Sequence, residues 1–127
     1  GSKKQGYASE TDALNPSNLY AAAKAGGDYA ALSFFKTFGL PVCITRCANN
    51  FGPFQYPEKV IPLFTTNALE NKPLPLYGDG SNRRHWIYVT DHCKAVDCVL
   101  QNGTPGEIYN ASAEYEVSNL ELAKKIL

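Results

Sequence analysis

A tyrosine and a lysine at helical spacing form the pair of side chains in this sequence best suited to proton transfer. Tyr20 and Lys24 enclose three alanines, and residues four positions apart lie on the same face of a helix. A tyrosine hydroxyl has an ordinary pKa of about 10 and is a poor base at neutral pH. A nearby cation favours the phenolate, and a pKa near 7 requires about 4 kcal/mol of such stabilisation. The pair predicts either a catalytic base or, more simply, a packed tyrosine beside a surface lysine.

Other acidic and histidine residues have simpler interpretations. Asp91 and His92 are adjacent, as catalytic partners can be, but aspartate is a preferred N-cap residue. We therefore expect Asp91 or Thr90 to cap a helix and His92 to lie on its surface. Glu10 and Asp12 are expected to be solvated surface charges, because such residues are mostly exposed.

The cysteine spacing argues against a metal site. The four cysteines are Cys43, Cys47, Cys93 and Cys98. Their C-x3-C and C-x4-C spacings differ from the C-x2-C pairs of zinc ribbons. We expect buried free thiols and no bound metal, which favours a reducing, cytoplasmic compartment.

The composition indicates a folded domain with no net charge to attract a charged partner. The chain has 127 residues, 44% of them hydrophobic, and its 12 basic and 12 acidic residues balance. A neutral chain lacks the positive charge that binds nucleic acid or an anionic membrane surface. No apolar run approaches the length that spans a bilayer, so neither nucleic acid nor membrane is expected as a partner.

Hydrophobic periodicity and turn residues predict alternating strands and helices, the pattern of an α/β protein. The predicted order begins with a loop or linker over 1–18, a helix over 19–37 ended by Gly39, a strand over 40–47 and a loop over 49–57. A helix over 58–71, an extended segment over 74–77, a turn over 78–81 and a strand over 85–89 follow. The last predicted elements are a helix reaching 101, a strand over 108–111 and a helix opened by a capping box at Ser118 and Glu121. Gly1 and Ser2 are typical of a tag remnant. Gly26 and Gly27 weaken the first helix, which predicts close approach of another backbone or a cofactor.

Several ordered motifs resemble a known family. Tyr20-x3-Lys24 followed by Arg46–Pro53 resembles the extended short-chain dehydrogenase/reductase superfamily. The runs Pro57–Pro62, Lys72–Gly80 and Arg84–His92 are similar to those of the nucleoside-diphosphate-glucose 4,6-dehydratases, whose usual member acts on dTDP-glucose. The resemblance implies an NAD-dependent lyase that forms a 4-keto-6-deoxy sugar.

The resemblance also implies a fold and a division of the chain. Residues 19–127 would form the C-terminal part of an NAD-binding, Rossmann-type doubly wound fold, together with a smaller substrate-binding α/β subdomain. No Gly-rich phosphate loop occurs in the sequence. The nucleotide-binding half, the Thr-Asp-Glu segment that supplies the acid and base for water elimination, and the extreme C-terminus are therefore expected to be absent. We expect this piece alone to be inactive.

Roles carry over to positions that match the family's motifs. Tyr20 would take the proton of the sugar 4-hydroxyl, Lys24 would bind the nicotinamide ribose, and Asn50 would contact NAD. Substrate contacts would come from Asn49, Glu58, Lys59, Val60, Pro75, Leu76, Tyr77, Arg84 and Asn119. Arg84 would pair with the diphosphate, which suits a planar guanidinium. The helix that carries Tyr20 would form a homodimer interface.

Alternatives remain within and outside the family. His85 stands where the family usually has an acid, so it is either a surface residue or part of a modified pocket wall. Trp86 and Tyr88 alternate along a strand and are expected to serve packing. A nucleotide-sugar epimerase or decarboxylase would share Tyr20 and Lys24. A non-catalytic binding or dimerisation remnant is the alternative from a different class.

Overall fold

The first helix begins and ends where its capping residues predict. A computed structural model describes residues 8–127, and the tag prediction at positions 1 and 2 lies outside them. Helix α1 spans Leu19–Phe38. Its N-cap, Asn18, accepts a hydrogen bond from the backbone N–H of Ala21 at 2.8 Å, and Gly39 ends it in the left-handed conformation. Residues 8–18 contain neither helix nor strand.

The rest of the described chain contains both strands and helices, and the α/β class is confirmed. They are β1 Ile44–Cys47, β2 Asn49–Phe51, α2 Val60–Leu69, β3 Arg83–Tyr88, α3 Val89–Asn102, β4 Ile108–Ala111, β5 Glu116–Ser118 and α4 Asn119–Ile126. Strands β1 and β4 form a two-stranded sheet, and a three-stranded sheet has the order β2-β3-β5. Within the latter, β2 is parallel to β3 and β5 is antiparallel to it.

Two local predictions were wrong because tertiary structure overrides local preference. Residues 49–51 were expected in a loop, but they pair with β3 in register, with Asn50 opposite Ile87. Pairing and packing decide strand formation more than the low strand preference of asparagine. Helix α3 begins at Val89, directly after β3. Asp91 therefore lies in its first turn rather than at its cap, where it accepts a bond from the Lys94 ammonium at 3.1 Å.

The chain divides into two compact units, and one of them holds most of the core. Residues 47–94 and 111–127 form this unit. Phe64 of α2 is 2% exposed, and Trp86, Val117 and Leu122 form a buried cluster. The ring of Phe51 meets that of Trp86 edge-on at 6.4 Å between centroids. The three-stranded sheet and the helices α2 and α4 therefore share one apolar interior.

The other unit comprises residues 1–46 and 95–110, and polar contacts fasten its described N-terminal segment. Glu10 accepts a hydrogen bond from the backbone N–H of Asn110 at 2.9 Å, which lowers the pKa of the Glu10 carboxyl. Arg46 donates to the Glu10 carbonyl at 3.3 Å and pairs with Asp28 at 2.8 Å. Glu10 and Asp12 lie at the surface, as expected, but they are only partly exposed. Both are held by backbone contacts, since Asp12 also accepts a bond from the N–H of Ser9 at 2.9 Å.

The glycines of α1 and the cysteines are less closely packed than the sequence predicted. Within residues 8–127, nothing lies within 4 Å of a Cβ built on Gly26 or Gly27, so the predicted close approach of another backbone does not occur there. The cysteines are free, as expected. Their predicted burial was wrong, since Cys43 is partly buried and the other three are exposed. Two of these lie on α3, a helix without a buried residue.

None of the described helices combines the length and apolar character needed to cross a membrane. Likewise, no cluster of metal-ligating side chains occurs among residues 8–127.

Candidate functional site

A cavity of about 270 Å³ collects residues from five parts of the core-bearing unit. Its lining consists of Asn49, Glu58, Val60, Leu63, Phe64, Pro75, Leu76, Tyr77, Arg84, Trp86 and Asn119. Eight of the nine residues predicted to contact substrate are among them. The exception is Lys59, which is absent from the lining and pairs with Glu58 at 3.2 Å.

Strand pairing places three of the lining residues side by side. Asn49 lies opposite Trp86 across the parallel β2–β3 pair. Alternate residues of a strand point to the same face, so Arg84 and Trp86 both line the cavity. The intervening His85 instead lies 3.3 Å from the carbonyl of Ala113 and is not part of the lining. The interpretation of His85 as a pocket wall was therefore wrong.

Two neighbouring arginines on β3 have different roles. Arg83 pairs with Glu116 at 2.8 Å and with Glu121 at 3.3 Å, and these carboxylates raise the pKa of its guanidinium. Arg84 faces the cavity and donates to the Arg83 carbonyl at 2.8 Å. A guanidinium has five N–H donors, so Arg84 retains the capacity to bind an anion such as a phosphate group.

Helix α4 brings Asn119 to the cavity through its capping box. The Ser118 hydroxyl accepts a bond from the Glu121 N–H at 3.1 Å, and the Glu121 carboxylate accepts one from the Ser118 N–H at 2.8 Å. The backbone N–H of Asn119 also donates to Asn82 at 3.0 Å. Gly80 adopts φ 71°, and a Cβ there would lie 3.1 Å from Leu120 Cβ. The predicted turn at residues 78–81 therefore packs against the start of α4.

The start of α2 brings backbone N–H groups and the Glu58 carboxylate, which is paired with Lys59, to the same wall of the cavity. Glu58 and Val60, on either side of the N-cap residue Lys59, both line the cavity. Lys59 makes no side-chain capping bond. The first N–H groups of a helix have no partner within it, and they carry partial positive charge. Together with Arg84 they suit a phosphate-bearing ligand.

Trp86 is a lining residue that the sequence interpretation assigned only to packing. It is 7% exposed and belongs to the buried cluster, which confirms the packing role. Its indole nitrogen is buried and has no partner among the described residues. A buried donor without a partner is costly, so this N–H needs an acceptor that the described residues do not supply. Alternation along β3 is the signal that could have placed Trp86 on the same face as Arg84.

Asn50 lies at a second, smaller cavity of about 210 Å³, lined by residues 50–55 and Val89. Its side-chain N–H₂ group is 3.4 Å from the Cys47 sulfur and 3.4 Å from the Ala48 carbonyl. Its side-chain oxygen is buried and has no partner in the described part of the chain. Asn50 therefore offers a hydrogen-bond acceptor to a bound group.

Tyr20 and Lys24 lie one turn apart on α1, in the other unit. Tyr20 is 76% exposed and Lys24 is also exposed. Helix α1 has no buried residue. The two side chains share a helix face, as predicted, and both are accessible for contact with another group.

The sequence of the chain is similar to those of known proteins. A family model described as "NAD dependent epimerase/dehydratase family" matches residues 1–112. The dTDP-glucose 4,6-dehydratase of Streptomyces niveus is 51% identical over 127 residues, which is 100% of this chain and 38% of that protein. The chain thus spans well under half of this curated relative.

Solved structures show the same architecture. A dTDP-glucose 4,6-dehydratase from Streptomyces venezuelae, crystallised with NAD bound, has a TM-score of 0.97 and 49% identity, and the match covers 100% of this chain and 39% of that one. A UDP-glucuronic acid 4-epimerase from Bacillus cereus, in complex with UDP-glucuronic acid and NAD, has a TM-score of 0.92 and 27% identity over 98% of this chain and 40% of that one. On the family match and these similarities, the chain belongs to the NAD-dependent epimerase/dehydratase family.

Proposed function

We propose that the protein containing this chain is an NAD-dependent dTDP-glucose 4,6-dehydratase, a lyase that converts dTDP-glucose to its 4-keto-6-deoxy product. The observation that carries the proposal is the cavity lined by Asn49, Glu58, Val60, Pro75, Leu76, Tyr77, Arg84 and Asn119. It joins an anion-binding side, formed by Arg84 and the start of α2, to an apolar and aromatic side. A nucleoside diphosphate has the same two chemical parts.

Each side of the cavity binds a different part of the substrate in this proposal. Arg84 and the N–H groups at the start of α2 bind the diphosphate, since both attract oxyanions. Pro75, Leu76 and Tyr77 hold the base and ribose. Asn49 and Asn119 orient the ligand through hydrogen bonds. Glu58 and Lys59, paired at 3.2 Å, belong to the substrate entrance with Val60.

Tyr20 and Lys24 carry the first chemical step in this proposal. Tyr20 accepts the proton of the sugar 4-hydroxyl while C4 is oxidised. Lys24 holds the nicotinamide ribose and favours the phenolate form of Tyr20. The exposed position of both groups on one face of α1 is compatible with contact to cofactor and sugar.

The residues present also fit NAD. Asn50 has a buried oxygen without a partner among the described residues, which suits a group that donates a hydrogen bond. When bound, NAD supplies the hydride acceptor and later the hydride donor. The acid and base for water elimination are proposed to come from a Thr-Asp-Glu segment outside these 127 residues.

The proposal extends to assembly and location. The protein forms a homodimer through the helix that carries Tyr20, acts in the cytoplasm, and has residues 19–127 as its catalytic-helix and substrate-binding part. The 127-residue piece alone is expected to be inactive, because a Gly-rich phosphate loop does not occur in its sequence.

Product analysis of the full-length protein tests the proposal. With dTDP-glucose and NAD, we expect a product that has lost one water and shows the alkali-induced absorbance of a 4-keto sugar. UDP-glucose serves as the matched control for nucleotide preference. A product of unchanged mass with inverted C4 would contradict the dehydratase.

A 4-epimerase is the second candidate, because the UDP-glucuronic acid 4-epimerase shares the architecture at a TM-score of 0.92. Its 27% identity, against 49% for the dehydratase from Streptomyces venezuelae, favours the dehydratase. Incubation with UDP-glucuronic acid distinguishes the two, since the epimerase yields an isomer and the dehydratase yields no product.

A further inference from the structure

The chain reverses sharply after β2, and the reversal is tightly fitted. Gly52 has φ 150°, and a Cβ at this position would lie 2.6 Å from a methyl group of Val89. The backbone N–H of Gln55 donates to the Gly52 carbonyl at 3.4 Å. Between them, Phe54 adopts φ 64° and its side chain is fully exposed. A bulky residue rarely adopts a left-handed conformation, so the loop holds a strained geometry without burying the Phe54 ring among the described residues.

This geometry returns the Gln55 side chain to the strand that precedes it. The Nε2 atom of Gln55 donates to the backbone carbonyl of Asn50 at 2.8 Å. Strand β2 is at the edge of its sheet and has β3 as its partner on one side. The Gln55 amide therefore satisfies a carbonyl in the middle of a three-residue edge strand.

The Gln55 amide is not arranged for maximal stability. Its Oε1 atom is buried and has no partner among residues 8–127. A buried acceptor without a partner destabilises the folded state, and this cost offsets part of the stabilisation from the bond to the Asn50 carbonyl. Strained backbone and unsatisfied polar atoms concentrate at sites that bind ligands. The group of Gln55 that has a partner in the loop is therefore its amide donor.

We propose that Gln55 is a positioning residue for the nucleotide-sugar pocket. By holding the Asn50 carbonyl it fixes strand β2 beside β3, and this places Asn49 next to Trp86. Asn49 lines the larger cavity and Asn50 the smaller one, so one hydrogen bond orients a residue at each. The inference rests on the proposed function and adds a residue to which the resemblance gave no role.

Gln55→Glu in the full-length protein tests the donor directly. A carboxylate has the same shape but cannot donate to the Asn50 carbonyl. We expect the Kd for dTDP and the KM for dTDP-glucose to rise about tenfold near neutral pH, the effect of losing one buried hydrogen bond. Once the carboxyl is protonated by acid, its O–H donates to the same carbonyl, and the Kd returns toward that of the unmodified protein at the same pH.

Two further variants separate positioning from folding. Gln101→Glu is the matched control, because Gln101 is exposed on α3 and donates to Asp97 at 2.9 Å. It should leave the Kd unchanged at every pH. Gln55→Met removes the donor and the buried oxygen together, so it should weaken dTDP binding without pH-dependent recovery. The unfolding midpoint should change little, because loss of the bond to the Asn50 carbonyl is offset by removal of the unpartnered oxygen.

The outcomes are distinct. If Gln55→Glu binds dTDP as tightly as the unmodified protein across the pH range, or Gln55→Met loses stability in parallel with affinity, Gln55 is not a positioning residue. If the unmodified protein neither binds dTDP nor converts dTDP-glucose, the proposed function fails before any variant is compared.

Discussion

The two units of the chain place their candidate functional residues in different environments. In the unit of residues 47–94 and 111–127, the candidate site lies against a buried core that includes Phe64 and Trp86. In the other unit, Tyr20 and Lys24 lie exposed on a helix without a buried residue. The pocket depends on strand pairing between distant segments, whereas the Tyr-Lys pair depends only on helical spacing. Core substitutions in the first unit should therefore affect folding, whereas substitution of Tyr20 in the second should affect reactivity.

The largest expected effect on stability comes from the core of the pocket-bearing unit. Phe64→Ala should lower the free energy of unfolding by about 3–5 kcal/mol, because it removes a fully packed aromatic ring. Urea unfolding of the chain measures this loss. Leu69→Ala, at an 80% exposed position of the same helix, should change it by less than about 0.5 kcal/mol. Equal losses for both variants would show that this unit lacks the described core.

In the other unit, the largest expected effect is on turnover and not on stability. Tyr20→Phe in the full-length protein should reduce kcat about a thousandfold, because it removes a general base. Its exposed position predicts an unchanged unfolding midpoint and an unchanged Kd for dTDP. Steady-state kinetics and calorimetry measure the two effects. Turnover equal to that of the unmodified protein would exclude Tyr20 as the base.

Neighbouring arginines sharpen the comparison within β3. Arg84→Ala should weaken substrate binding by about 2 kcal/mol, or about thirtyfold in KM, through the loss of a charge-assisted contact. Arg83→Ala is the matched control, since Arg83 bonds Glu116 and Glu121 instead. It should affect stability more than KM. A larger rise in KM for Arg83→Ala than for Arg84→Ala would show that Arg83, and not Arg84, binds the diphosphate.

Acid should weaken one contact in each unit. The pKa of Glu121 is lowered from its ordinary value of 4.5 by bonds from Ser118 and by Arg83, and that of Glu10 by the Asn110 N–H. Because each folded-state pKa lies below the unfolded one, the stabilisation is complete above pH 4.5 and disappears as pH falls through the folded-state value.

Thermal unfolding followed from about pH 6 to about pH 3 tests this effect. Glu121→Gln and Glu10→Gln should each unfold at a lower temperature than the unmodified chain near pH 6, and each should lose less stability on acidification. A variant with the same acid sensitivity as the unmodified chain would exclude its carboxylate from this dependence.

Local signals predicted those elements that depend on neighbouring residues. The end of α1 at Gly39 and the capping box at Ser118 each depend on contacts within one helical turn, and both are confirmed. Strand β2 was missed because its pairing partner, β3, lies more than thirty residues away in sequence. The capping role of Asp91 failed because helix α3 starts directly from β3.

The candidate site shows the same division. Motif resemblance indicated Asn49, Arg84 and Asn119, and the fold brings them to one cavity. It gave no indication that Trp86 faces that cavity or that Gln55 bonds the Asn50 carbonyl. Both features arise from strand register and loop geometry, which are set by contacts between segments distant in sequence. Such contacts leave little trace in a short local pattern.

The long span of the pocket lining has a consequence for the order of events during synthesis. The lining extends from Asn49 to Asn119, and β5 pairs with β3 only through residues 116–118. Contacts between distant residues form slowly, and chains begin to fold from the N-terminus on the ribosome. Until residues 117–122 emerge, Trp86 lacks its cluster partners Val117 and Leu122. The nascent chain then exposes apolar surface, and chaperones that bind such surfaces should engage this interval of translation.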